Sequence, residues 1–225
     1  MSRRANAAAR CPRCRMHASL CLCALIPRLT TRTRLVLVIH RYEARKPTNT
    51  GRLAAECLTQ SRVVVRGTEM QPEDTLDVPS ETRPLLLFPH EGARDVREYA
   101  DSTIPTTLIV PDGTWRQASK VRQRVRGLDR VPCVKLPPGP PSRYRLRFES
   151  HDDGLATIEA IARAFGILEG PHVEAALLGV FGAMVERTLW ARGAIDESAV
   201  TLGIPAGAER HDPKSGLETR APSSR

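Results

Sequence analysis

The chain has 225 residues, enough for one sizeable core and a small appendage, and its hydrophobic fraction of 41% is ordinary for a water-soluble domain. The longest apolar stretch, Val173 to Trp190, is broken by Glu174, Glu186 and Arg187, which excludes a membrane span and predicts a core helix. The net charge of +9 is segregated: residues 1–52 hold twelve Arg or Lys against the single acid Glu43, and residues 116–147 hold ten against Asp129. The remainder is net acidic. Two basic blocks on an otherwise acidic chain predict a surface facing a polyanion, the alternative being solvated arginines of an Arg-rich proteome.

In chain order, residues 1–10 read as a flexible basic arm that leads into no apolar segment. A cytosolic location is therefore expected. Residues 11–30 read as a cysteine-bearing knob. Residues 31–195 carry alternating strand and helix signals, and residues 205–225 form a Gly-, Pro-, Ser- and charge-rich tail with nothing to bury. Within the body, Leu35–Ile39, Val63–Val65, Leu85–Phe88, Thr107–Val110 and Val131–Leu136 are unbroken apolar or β-branched runs. Such runs predict strands buried on both faces, hence a mostly parallel sheet. Helical spacing is expected over Gly51–Leu58, Gly92–Tyr99, Trp115–Val125, Leu155–Phe165 and Val173–Trp190. That order predicts an α/β domain with right-handed crossovers and helices flanking the sheet.

The knob contains Cys11-Pro12-Arg13-Cys14 and Cys21-Leu22-Cys23. Four thiols within thirteen residues of a cytosolic chain predict a tetrahedral zinc site, structural because four protein ligands leave no open position. His17 lies in the gap, so a three-sulfur, one-nitrogen site remains open. Cys57 and Cys133 sit among apolar residues and read as core.

Three further stretches carry chemistry. After the first strand, Thr48, Asn49 and Thr50 are helix-capping types, and Gly51 lets a ligand approach the backbone. With Lys46 and Arg52 nearby, this helix start suits an anion. Pro111-Asp112-Gly113-Thr114-Trp115 ends the fourth strand run, where open α/β sheets bind ligands. Asp112 reads either as a ligand-facing carboxylate or as the cap of a helix opening near Thr114. In Arg143-Tyr144-Arg145-Leu146-Arg147, an extended backbone would put three arginines on one face, fit to clamp a carboxylate or phosphate. Leu155, Ala156 and Ala160 could line an adenine slot, with Thr157 and Glu159 adding polar contacts, or could simply pack a helix. No GxGxxG, P-loop or GxSxG is present, which disfavours a Rossmann dinucleotide or ATP site.

Taken together, CPRC with LCLC, KPTNTGRLA (Lys46–Ala54), DGTW (112–115), YRLR (144–147) and LATIEAIA (Leu155–Ala162) resemble the DTW-domain family over roughly Cys11 to Arg192, in the family's order. That resemblance implies a SPOUT-like knotted α/β fold. It also implies transfer of the 3-amino-3-carboxypropyl group from S-adenosylmethionine to N3 of a tRNA uridine. Asp112, Thr114 and Trp115 would then be catalytic. Pro111, Gly113, Arg145, Leu146, Arg147, Leu155, Ala156 and Thr157 would hold the cofactor. Lys46, Thr48, Asn49, Thr50, Gly51, Arg52, Arg143 and Tyr144 would meet tRNA or the methionine end. A monomer with no obligatory protein partner is expected. A methyltransferase of the same knotted class, and a non-enzymatic zinc-ribbon RNA-binding module, are the alternatives.

Overall fold

The computed structural model describes residues 9–67, 76, 78–146, 154–212 and 217–218. Arg147, the last arginine of the expected clamp, lies outside them. Two compact units are present: Pro27–Ser142 with Asp152–Leu178, and Met1–Ile26 with Arg143–His151 and Gly179–Arg225.

The first of these is the sheet unit. Its elements are β1 (Arg34–His40), α1 (Arg41–Ala44), α2 (Thr50–Cys57), β2 (Ser61–Arg66), β3 (Arg83–Leu87), β4 (Arg94–Asp95), β5 (Thr106–Asp112), α3 (Trp115–Ala118), α4 (Val121–Arg124), β6 (Cys133–Lys135) and α5 (Thr157–Glu169). The six strands pair in the order β2-β1-β5-β3-β6-β4, and every pairing is parallel. The apolar runs are unbroken because both faces are covered: β5 is buried along its whole length, and so is β1 between its end residues. On one face Val36, Val38, Leu86, Ile109 and Cys133 pack with Val121, Val125, Leu128 and Val131. On the other, Gly51 of α2 lies against Leu37, and α5 packs beside α2. At the base of the sheet, Glu169 of α5 accepts the backbone N–H groups of Arg32 (3.0 Å) and Thr33 (2.6 Å), fixing the entry into β1.

Two elements differ from expectation. The Gly92–Tyr99 stretch opens as strand β4, paired with β6, before a 3-10 turn over Val96–Tyr99. Asp95 and Glu98 form a capping box there, which holds the helical start back to Val96. The Trp115–Val125 helix is split into α3 and α4, with the Ser119 hydroxyl donating to the Arg116 carbonyl at the break.

The topology places a switch point between β1 and β5. The chain leaves β1 across the α2 face toward β2, whereas it leaves β5 across the opposite face, through α4, toward β6. Adjacent parallel strands whose connections diverge in this way open a ligand site at their carboxyl ends. His40 and Asp112 stand at those two ends, since Ile39 is in register with Asp112.

In the second unit, the cysteine turns and the described residues of 179–212 pack together. Tyr144 and Leu146 are buried, the Tyr144 ring 5.7 Å from that of Phe181, while Arg143 and Arg145 are exposed. The expected alternation is therefore present, in a turn and not a strand. The segment from Thr201 is tied down by Glu186, which accepts from the Thr201 N–H at 2.7 Å. Further on, His211 is buried with its ring 4.1 Å from that of His17, and His211–Asp212 pair with Leu217–Glu218. Among the described residues no helix is long and apolar enough to cross a membrane.

Candidate active site and metal centre

Thr114 is the cap of α3. Its side-chain oxygen accepts the Gln117 N–H at 3.3 Å, and the Gln117 side-chain carbonyl accepts the Thr114 N–H at 2.9 Å. Asp112 is thus not the helix cap, and its carboxylate turns inward, 7% exposed. Oδ2 accepts from the Asn49 amide at 2.6 Å and Oδ1 accepts from the Thr157 hydroxyl at 2.7 Å. Asn49 is itself the cap of α2, accepting the Arg52 N–H at 2.9 Å through its carbonyl oxygen. Thr50 accepts the Ile158 N–H at 3.4 Å. Three segments far apart in sequence therefore converge on one carboxylate: the loop after β1, the end of β5, and the start of α5.

Gly51 makes this convergence possible. A Cβ at that position would lie 2.6 Å from Asp112 Oδ2 and 2.9 Å from Leu37. Both are closer than atoms tolerate, and the carboxylate is held on its other side by Thr157. Gly51→Ala is expected to displace the Asp112 carboxylate, costing about 1–3 kcal/mol as its buried hydrogen bonds are lost. Thermal unfolding measures that loss. An alanine variant as stable as the parent would contradict the packing described.

The amide of Gln117 also spans the two strand ends, donating to His40 Nδ1 at 3.2 Å, and the Tyr42 N–H points to the same nitrogen at 3.4 Å. With Nδ1 accepting, the proton of the neutral ring resides on Nε2. Burial, then the charges of Arg41, Arg66 and Arg124, hold the His40 pKa below its ordinary value, against an opposing pull from Glu43. The ring is uncharged at neutral pH.

The other expected positions divide. Trp115 is 43% exposed beside the Phe88 ring, 5.6 Å away. Lys46 is ion-paired to the buried Glu43. Pro111 lies in β5 opposite Val38. Leu155 and Ala156 precede α5, which starts at Thr157 and not at Leu155. Glu159 serves structure: its Oε2 accepts the Ala156 N–H at 2.8 Å and the Ser142 hydroxyl at 2.5 Å. Arg143, Tyr144, Arg145 and Leu146 belong to the second unit, whereas Asp112 belongs to the sheet unit.

In the second unit Cys11, Cys14, Cys21 and Cys23 present their sulfurs within 4.8 Å of one another, with Cys11–Cys23 at 3.5 Å and Cys14–Cys21 at 3.8 Å. A tetrahedral ion with sulfur at about 2.3 Å spaces its thiolates about 3.8 Å apart, so the donor set fits such an ion. The N–H groups of Leu22 (3.4 Å) and Cys23 (3.5 Å) point at Cys14 and Cys21 sulfurs, as suits thiolate acceptors. His17 is outside the group: its Nδ1 is 2.8 Å from the Ser19 hydroxyl and its ring faces His211. Burial raises the thiol pKa at Cys11, yet the N–H groups of Cys14 and Arg13 bring it down to about 7. Burial and neighbouring thiols push Cys23 up to about 12.

Arg187 completes the centre. It is buried, and its three donated bonds go to neutral carbonyls: Cys21 (2.6 Å), Gly203 (2.9 Å) and Leu202 (3.4 Å). A buried guanidinium calls for an opposing charge, and the neighbouring Cys14 and Cys21 sulfurs would supply it as metal-bound thiolates. Four thiolates around a divalent ion carry a net charge of about −2, the balance this arginine calls for.

The DTW domain family model matches residues 8–189, most of the chain. The chain belongs to the DTW domain family. Relatives of this DTW domain include the "tRNA-uridine aminocarboxypropyltransferase 2" proteins of Mus musculus (32% identical) and Macaca fascicularis (31%), each aligned over 71% of this chain and 56% of its own length. The Drosophila melanogaster protein of the same name is 26% identical, over 71% of this chain and 66% of its own. The chain thus spans a little over half the length of the mammalian relatives. Among solved structures, the SAM-dependent rRNA acp-transferase of Vulcanisaeta distributa superposes with a TM-score of 0.47 at 16% identity, covering 75% of this chain and 79% of its own.

Within the DTW domain, sequence reasoning passed over His40, Gln117 and Arg187. Gln117 was findable, because Thr114-Trp115-Arg116-Gln117 is a capping-box pattern. His40 carried the same strand-end signal as Asp112. Arg187 carried none, since a charge on a long apolar helix reads as an exposed position.

Proposed function

We propose that this DTW domain transfers the 3-amino-3-carboxypropyl group of S-adenosylmethionine to N3 of a tRNA uridine. The carrying observation is the buried Asp112 carboxylate, aimed by Asn49 and Thr157 at the divergence of β1 and β5. The names of the curated relatives support the reaction class. The site offers a carboxylate, an amide and hydroxyls, a polar set that suits a cationic amino-acid sulfonium, while Gly51 lets α2 close against the carboxylate. Bound there, the sulfonium supplies an activated carbon and a thioether leaving group. Asp112 accepts or orients the N3 proton, so the nitrogen lone pair is available as the new N–C bond forms and the C–S bond breaks. Its two hydrogen bonds fix the accepting oxygens, converting a diffusive encounter into an aligned one. Which product forms depends on which of the three sulfur-bound carbons faces the base, so a crevice that hides the methyl selects the longer arm.

Zinc is the metal proposed for the four cysteines, in a structural role, since saturation by four thiolates leaves no position for a substrate. The deciding experiment incubates the protein with tRNA and S-adenosylmethionine and analyses the nucleosides by mass spectrometry. A gain of one aminocarboxypropyl group on uridine is expected. A methyl gain, or no modification, would overturn the assignment.

A further inference from the structure

We infer that Tyr42, with Arg41 and His40, is a stacking subsite for an unpaired base of RNA, a reading that rests on RNA being the substrate. Aromatics make up 4% of the chain, and among the described residues only two aromatic side chains, Tyr42 (55%) and Trp115 (43%), are strongly exposed. Both stand at the carboxyl edge of the sheet, Tyr42 just after β1 and Trp115 just after β5. The bond between His40 and Gln117 ties the two exits together.

Tyr42 is held, not dangling. Arg41 lies 4.9 Å above its ring centroid and donates to its hydroxyl at 3.1 Å. The His40 ring is 5.2 Å from it, tilted by 39°. Leaving a fixed aromatic face in water forgoes burial that most tyrosines achieve, and a flat apolar ligand recovers it. Arg41 over the face, and the charges of Arg66 and Arg124 acting on the adjoining His40 against Glu43 alone, give this edge a positive balance that suits an anionic partner. His40, uncharged, adds ring surface without adding charge. A ligand that is flat and anionic at once is a nucleotide. A duplex buries its base faces, so the partner is an unpaired stretch such as a loop.

The test uses the full chain without S-adenosylmethionine. Fluorescence anisotropy compares a labelled, unpaired uridine-rich oligoribonucleotide with a blunt RNA duplex of equal length. The parent should prefer the unpaired strand. Tyr42→Ala should weaken that strand about tenfold while Tyr42→Phe stays within about twofold, the range expected for one lost stack. Duplex affinity and S-adenosylmethionine affinity, the latter by calorimetry, should stay unchanged in both variants. Equal losses on strand and duplex would reassign Tyr42 to phosphate contact, a lost cofactor affinity would reassign it to adenine, and no loss would remove the subsite. Either of the first two, like the third, overturns the inference. Because the binding assay needs no chemistry, a protein that binds loops through Tyr42 but modifies no uridine would sink only the transfer reaction.

Discussion

Asp112→Asn is expected to lower aminocarboxypropyl transfer at least about hundredfold, the lower end of what a positioned proton acceptor contributes. The substitution is a clean one because of how the carboxylate is held. An asparagine in its place can keep its carbonyl oxygen toward the Asn49 amide, while its own amide donates to Thr157, whose hydroxyl rotates from donor to acceptor. Stability should therefore fall by no more than about 1 kcal/mol. Single-turnover transfer to tRNA and thermal unfolding, measured on the same preparation, separate the outcomes. Near-parental transfer would end the proton-acceptor role. Severe destabilisation would mean that Asp112 serves the fold and that its chemistry lies elsewhere.

Removing the metal is the second large effect. One ion per chain is expected on elemental analysis, falling sharply in Cys11→Ser. Structural zinc contributes on the order of 10 kcal/mol to folding in small zinc peptides. Here the loss should be local. The cysteine turns bury Met16, Leu20, Leu22 and Ile26 but hold only two short 3-10 turns of their own, so residues 9–26 should become protease-sensitive. The Arg187 guanidinium would keep its carbonyl acceptors but lose the charge that offsets its burial. Limited proteolysis with and without chelator reads this directly. An apoprotein with the same melting temperature and digestion pattern would refute a structural metal.

Strands β1, β3 and β5 were legible in the sequence because a run buried on both faces leaves an unambiguous apolar signature, whereas the half-buried edge strand β2 was legible from its three consecutive valines. Helix α5 was likewise legible from its spacing. Short elements were not. For β4 with its 3-10 turn, and for the split between α3 and α4, the helical spacing of the surrounding apolar residues outweighed short capping patterns that lie within the sequence. At the site, residue types and position nominated Asp112, Asn49, Gly51 and Thr157. Which of them touch was invisible, as was the choice between cap and ligand at Asp112. Thr114 settled that choice by taking the cap.

Apolar periodicity, the cysteine spacing and the ordered short motifs were enough to establish the parallel sheet, the four-thiol cluster and the family. Only the tertiary structure showed the loop after β1 and the start of α5 closing on one buried carboxylate, with no room for a Cβ at position 51. It alone revealed the buried Arg187 beside the cysteine cluster, donating to the Cys21 carbonyl. The physical reason is the same for both. Secondary structure follows from interactions within a few residues, which a linear pattern records. A buried charge is tolerable only through partners that the fold brings from 45 to 166 residues away, and no local pattern encodes them.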